Sequence, residues 1–254
     1  MTNVFVTGGI KNELEYPQHS ISKSVLLHLL PGAMITILYV ALIPLVNSVG
    51  LLSNAALLLG GLIVLIGFEL GLLFYEGRKK TGNLTLVGVV FYREPLPLMQ
   101  YVVLIPLLLV AGLLITSVFG AVVTEPTKNT LFFWLPDWFV LSFSLEHSKE
   151  VLLTGAALAL IVNGLIGPIV EETYFRGYLL PRLSRLGKKG VLLNASLFAI
   201  YHFFTPWRVV EIALLTLLMG LVVFWKKNIY LGISLHFMGN MTSEVFKLAA
   251  ILAL

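Results

Sequence analysis

The sequence predicts an all-α membrane protein, a polytopic bundle of about seven transmembrane helices plus one interfacial or eighth helix. Hydrophobic residues make up 58% of the 254-residue chain and charged residues only 12%, about half the charged fraction of a soluble domain. The apolar segments are 18 or more residues long and are separated by short charged clusters, which is the pattern of helical spans. No stretch shows the alternation expected of membrane β-strands.

The first element is a polar N-terminal segment, residues 1–24, which lacks the features of a removable signal peptide. Residues 25–254 then form a single transmembrane domain without repeats or long linkers. The apolar runs predict spans at 25–46, 52–75, 98–123, 151–181, 190–205, 209–225 and 229–253. The segment 131–145 is short, aromatic and interrupted by Pro136-Asp137, which favours an interfacial or re-entrant helix and leaves a tilted eighth span open.

Loop charge predicts the orientation. Basic residues cluster after the second, fourth and sixth predicted spans, whereas the intervening loops carry few. By the positive-inside rule, the N-terminus and the basic loops face the cytosol, in the cell membrane if the source is prokaryotic. The net charge of +4 fits loops that face anionic lipid and does not indicate nucleic-acid binding. The absence of cysteine excludes disulfides, thiol nucleophiles and cysteine metal ligands.

Ionisable side chains on three predicted spans fall at one depth. Glu171 lies 11 residues before the basic residue Arg182 (182 − 171), or about 16 Å along a helix. The same count from basic residues of other loops places His202 and Asn240 at about 20 Å and His236 at about 14 Å. Charged groups at this depth are costly and usually functional. The shared level therefore predicts one site containing Glu171, His202, His236 and Asn240.

Neighbouring residues have structural interpretations. Glu172 and Arg176 are spaced i,i+4 and can form a buried ion pair, whereas Glu171 points about 100° away from Glu172 and is free for chemistry. Phe198, one turn before His202, is expected to pack the pocket wall.

Other ionisable residues are assigned no chemistry. Glu69 is expected to snorkel or to pair with Arg78. The remaining groups are expected to be solvated, structural or at span edges, and they are Glu211, Glu244, His19, His28 and His147.

Three short motifs resemble those of a known family. Glu171 to Arg176 is EExxxR, Phe198 to His202 is FxxxH, and His236 to Asn240 is HxxxN. In this order they resemble the CPBP family of CaaX proteases and bacteriocin-processing enzymes, also called the Abi family, over about residues 150–245. The resemblance implies an intramembrane endopeptidase with a site open to the cytosol and a membrane-anchored or lipidated peptide substrate.

The resemblance also implies the roles of the residues. Glu171 and His202 would activate a water molecule, His236 and Asn240 would bind the developing oxyanion, and Glu172 and Arg176 would support the site. Independently of the family, a carboxylate beside an imidazole can accept a proton from water, and imidazole and amide donors can stabilise an oxyanion.

Three alternatives stay open at this point. Glu171, His202 and His236 are a plausible zinc ligand set, although no HExxH motif occurs; chemistry without a cofactor is the first choice. A proton-coupled transporter would also use buried carboxylates and imidazoles. A non-catalytic immunity or binding protein could retain the same motifs.

Overall fold

A computed structural model describes residues 16–141 and 143–254, and this part of the chain is all-helical, without strands. The all-α prediction is confirmed. The described residues form seven helical rods, and their bounds are α1 Ile21–Ser48, α2 Ser53–Thr81, α3 Leu98–Leu131, α4 Lys149–Leu186, α5 Lys188–Tyr201, α6 Pro206–Lys226 and α7 Ile229–Leu252.

Five of the described helices, α1, α2, α3, α4 and α6, are long and apolar enough to cross a membrane, as expected for an integral membrane protein. α5 has only 14 residues, about 21 Å of helix. α7 has 24 residues but carries several polar side chains, including His236, Asn240 and Glu244. The predicted total of seven spans therefore depends on α5 and α7 and stays a prediction.

α1 begins earlier than predicted. The side chain of Ser20 accepts a hydrogen bond from the Lys23 amide and caps the helix at Ile21, as serine commonly does at this position. The last residues of the predicted polar segment 1–24 are thus helical. Residues 1–15 of that segment lie outside the described residues.

The predicted helix at 131–145 is wrong. Beyond Leu131 the described residues of this segment form turns, in which the amides of Leu135 and Phe139 donate to the carbonyl oxygens of Phe132 and Pro136. Pro136 has no amide hydrogen and restricts the residue before it, so a helix does not continue through this point. Phe139 packs instead against Tyr39 and Trp207.

α4 lies at the centre of the bundle and α3 at its periphery. In the apolar window of α4, 39% of residues are buried, whereas the corresponding fraction for α3 is 6%. Four aromatic or aliphatic side chains on two adjacent turns of α4 are at most 1% exposed, and they are Tyr174, Phe175, Tyr178 and Leu179. The motif residues of α4 are therefore surrounded by other helices.

Two helices contain widened, π-helical turns near the predicted site. One spans Leu65–Leu70 in α2 and includes Glu69; another spans Glu172–Leu179 in α4. Such turns often occur at functional sites because they break the regular hydrogen-bond ladder and re-aim side chains.

α5 is shorter than the predicted span 190–205. It ends at Tyr201, and His202 has a non-helical backbone with φ −76° and ψ 49°. Pro206 opens the next helix and disfavours a helical residue before it. In α1, a Cβ on Gly32 would collide with the backbone carbonyl of Tyr201. This close approach fixes the end of α5 against α1.

Candidate active site

Glu172 and Arg176 form a fully buried ion pair beside Glu171. Their side chains are fully buried, and Arg176 Nη1 lies 3.1 Å from Glu172 Oε1, in the i,i+4 geometry that the sequence predicts. The guanidinium carbon of Arg176 also lies 4.1 Å from the ring centroid of Phe198. This cation–π contact links the EExxxR and FxxxH motifs.

His236 is held by Glu172. Its Nδ1 lies 3.0 Å from Glu172 Oε1, the oxygen that also accepts from Arg176. Nδ1 is the donor in this contact because a carboxylate oxygen accepts. Glu172 therefore orients His236 in addition to pairing with Arg176. The other ring nitrogen, Nε2, then lies 3.8 Å from Glu171 Oε2.

Glu171 differs from Glu172 in accessibility. Its side chain is 14% exposed and that of His236 is 17% exposed, whereas Glu172 is fully buried. The hydroxyl of Tyr201 donates to Glu171 Oε1 at 3.2 Å. Of the two adjacent carboxylates, Glu171 is thus the one that a substrate or water can reach.

His202 lies just beyond α5, with its ring against Phe198, Tyr201 and Phe204. Its Nδ1 lies 2.8 Å from the carbonyl oxygen of Phe198. A carbonyl oxygen only accepts, so Nδ1 carries the hydrogen and Nε2 of the neutral ring keeps its lone pair. No ion pair within 4 Å joins His202 to Glu171 among the described residues; His236 is the histidine that lies beside Glu171.

Asn240 belongs to a neighbouring polar network. Its amide nitrogen donates to the backbone oxygen and the side-chain oxygen of Asn163, at 3.0 and 3.3 Å. Asn163 in turn donates to Glu244, which also binds Lys247. The structure therefore places Asn240 one turn from His236, with its donor engaged by α4. It also assigns Glu244 a structural role.

The expectation for Glu69 was wrong. The side chain is fully buried rather than snorkelling, and no ion pair with Arg78 occurs in the described part of the chain. Both of its carboxyl oxygens lack a hydrogen-bond partner there. Glu69 lies near enough to Glu171 and Tyr201 to interact with them electrostatically.

Sequence reasoning thus missed Glu69 and Tyr201. The signal for Glu69 was present, since an ionisable residue inside a span is a candidate functional residue by default. A tyrosine next to a motif histidine carries no comparable signal.

Other buried ionisable groups have structural partners. Glu211 accepts hydrogen bonds from Arg208 and Thr124. His28 contacts the amide of Asn194 at 2.9 Å and the carbonyl oxygen of Ser24. These contacts explain the burial of both groups without a role in chemistry.

The side chains do not fit a zinc site in this arrangement. Within residues 16–141 and 143–254, no three histidine, aspartate or glutamate side chains are grouped so that they could hold a metal ion. His236 and His202 each donate Nδ1–H to an oxygen acceptor, which leaves Nε2 as the ring nitrogen available to a metal, as is common in metal-binding histidines. Only the lack of such a group speaks against zinc, since Glu171, His202 and His236 are not gathered as a tetrahedral site requires.

Comparison with known proteins gives a similarity in the C-terminal part of the chain. Residues 153–242 match the model of the Rce1-like family, described as type II CAAX prenyl endopeptidase Rce1-like. This region of the chain is therefore similar to the CPBP, or CaaX protease, family. The matched Rce1-like region runs from the start of α4 into α7 and includes all three motifs. A search of curated proteins and one of solved structures gave no significant match.

Proposed function

We propose that this Rce1-like protein is an intramembrane endopeptidase that hydrolyses a peptide bond in a membrane-anchored or lipidated peptide. One observation carries the proposal. The partly exposed carboxylate of Glu171 lies 3.8 Å from the imidazole of His236, and the buried Glu172–Arg176 pair holds that imidazole in place. General-base catalysis needs a base within hydrogen-bond reach of water and rigidly held neighbours.

In the proposed mechanism Glu171 accepts a proton from water as the water attacks the substrate carbonyl. His202 Nε2, which keeps its lone pair, accepts a hydrogen bond from the same water. The proton taken up by Glu171 then passes to the departing amine. This order balances the reaction, because water supplies both the hydroxyl of the new acid and the proton of the new amine.

As an imidazolium, with a hydrogen on both ring nitrogens, His236 is proposed to stabilise the oxyanion through Nε2–H. Its Nδ1–H bond to Glu172 fixes the ring plane, so the donor is oriented before the charge develops. Asn240 can add a second donor only if its amide leaves Asn163, so its contribution requires a small movement between α7 and α4.

We propose direct activation of water by side chains, since the described residues do not form a metal-binding group. The N-terminus and the opening of the site are proposed to face the cytosol. There the protease would meet the C-terminal segments of lipidated proteins.

The test is cleavage of a farnesylated, fluorophore-quenched CaaX-type peptide by the full chain in proteoliposomes. Glu171→Gln should lower kcat/KM by about 100- to 10,000-fold, the usual contribution of a general base. Glu150→Gln, an exposed position on the same helix, is the matched control and should retain activity. Undiminished cleavage by Glu171→Gln would exclude Glu171 as the base.

A further inference from the structure

A cavity of about 390 Å³ lies outside the candidate active site, where the start of α1, the end of α2 and the end of α4 meet. None of its lining residues belongs to the three motifs. Four cationic side chains from these three helices line it, together with one carboxylate. The cations are Lys23, Lys79, Lys80 and Arg182, and the carboxylate is Glu76.

The positive charge of this cavity is only partly offset by the described residues, since Glu76 supplies one negative charge against four cations. The ion pairs found among them include none of the four cations. Arg182 is only 5% exposed, yet its Nη1 donates to the backbone oxygens of Val89 and Tyr178 rather than to a carboxylate. Glu76 is near enough to act on the charge of Arg182, but burial of cationic groups in excess of anionic ones is costly, so the cavity favours an anionic ligand.

His19 lies on the wall of the same cavity. Burial, followed by the charges of Lys23 and Arg182, lowers the pKa of His19 to about 3. Its ring lies 5.7 Å from that of Tyr178, and its amide donates to the carbonyl oxygen of Arg182. Burial is the largest cause of the lowered pKa, and the positive charges of Lys23 and Arg182 add to it.

We infer that this cavity binds a phosphate group, carried either by an anionic lipid or by a soluble phosphate ester. Lysine and arginine donors from several chain segments are the usual partners of phosphate oxygens. The cavity lies at the ends of three membrane-length helices, the level at which lipid headgroups lie. Basic pockets between transmembrane helices bind such headgroups elsewhere.

The test is native mass spectrometry of the full chain in a non-ionic detergent, titrated separately with phosphatidylglycerol, phosphatidylcholine and glycerol 3-phosphate. The variant is Lys23→Gln/Lys79→Gln/Lys80→Gln, whose lysines are exposed and whose loss leaves Arg182 and its backbone contacts intact. The matched control is Lys188→Gln/Lys189→Gln, which removes two exposed lysines outside the cavity.

We expect the wild type and the control to retain phosphatidylglycerol in preference to phosphatidylcholine. The triple variant should bind it on the order of 100-fold more weakly, at about fivefold per lysine. Binding of glycerol 3-phosphate with the same dependence on the lysines would identify a soluble ester as the ligand. Equal retention of both lipids without glycerol 3-phosphate binding, or equal binding by the triple variant and the wild type, would overturn the inference.

Discussion

Glu172 accepts a hydrogen bond from Nδ1 of His236 at 3.0 Å, through the carboxylate oxygen that also binds Arg176. One buried oxygen thus joins α4 to α7 and fixes an imidazole beside the accessible Glu171. The two adjacent glutamates of the EExxxR motif have different surroundings, and their substitution should have different consequences.

Removal of the buried pair should destabilise the protein. Glu172→Ala leaves Arg176 buried without its anion, and Arg176→Ala leaves Glu172 without its guanidinium; either loss costs roughly 3–5 kcal/mol for a buried pair. We expect both variants to melt at a lower temperature in detergent and to lose activity. Glu171→Ala should lose activity while melting like the wild type. Wild-type melting of both Glu172→Ala and Arg176→Ala, with activity abolished, would assign the pair to the mechanism.

Gly232 provides a way to disturb Glu172 without altering any motif residue. A Cβ at this position would lie 3.0 Å from Glu172 Oε2 and 3.0 Å from a methyl carbon of Val223. Gly232→Ala should therefore displace the carboxylate that orients His236 and lower kcat/KM about tenfold, the cost of weakening one charged hydrogen bond. Gly239→Ala on the same helix meets nothing within 4 Å and should remain fully active. Equal activity of the two variants would argue against the orienting role of Glu172.

Substitution of Glu69 and of Tyr201 should affect kcat/KM differently. A buried carboxyl group with no hydrogen-bond partner is most stable uncharged, so Glu69→Gln should retain activity within a few-fold. Tyr201→Phe removes the donor to Glu171 and should lower kcat/KM about tenfold or more, as expected for a hydrogen bond to a charged group. If Glu69→Gln is as inactive as Glu171→Gln, Glu69 takes part in the reaction as a charged group.

Metal removal tests the proposed direct activation of water. The purified chain, treated with a strong chelator and then assayed in proteoliposomes, should cleave the reporter at its original rate. Elemental analysis of the purified wild type should show no stoichiometric zinc. Zinc that is present in the wild type and lost in His236→Ala would contradict this expectation. Chelator-sensitive activity that added zinc restores would show that the side chains rearrange into a metal site.

Residue counts can compare depths on different spans because a helix has a fixed rise of about 1.5 Å per residue. Counting from the basic loops placed Glu171 and His236 at one depth, and the structure brings them to 3.8 Å. The i,i+4 pairing of Glu172 with Arg176 was likewise predictable, since it depends only on local helix geometry.

The sequence did not determine which histidine would lie beside Glu171, how far α5 would extend, or where Glu69 would point. Those features depend on the packing of helices that are distant in the chain. The contact between Gly32 and Tyr201 fixes α5, and the π-helical turns in α2 and α4 re-aim side chains away from the regular 100° spacing.

Composition and hydrophobic run length by themselves determined the all-helical membrane class of this protein, because a lipid environment requires long apolar segments with internally satisfied backbone groups. The order of the three motifs indicated the similarity to the CaaX protease family that residues 153–242 show. Only the tertiary structure decided that Glu172 serves His236 as well as Arg176, and that Asn240 is bound to Asn163. Such contacts between α4 and α7 are set by side-chain packing across the bundle, for which local sequence periodicity carries no information.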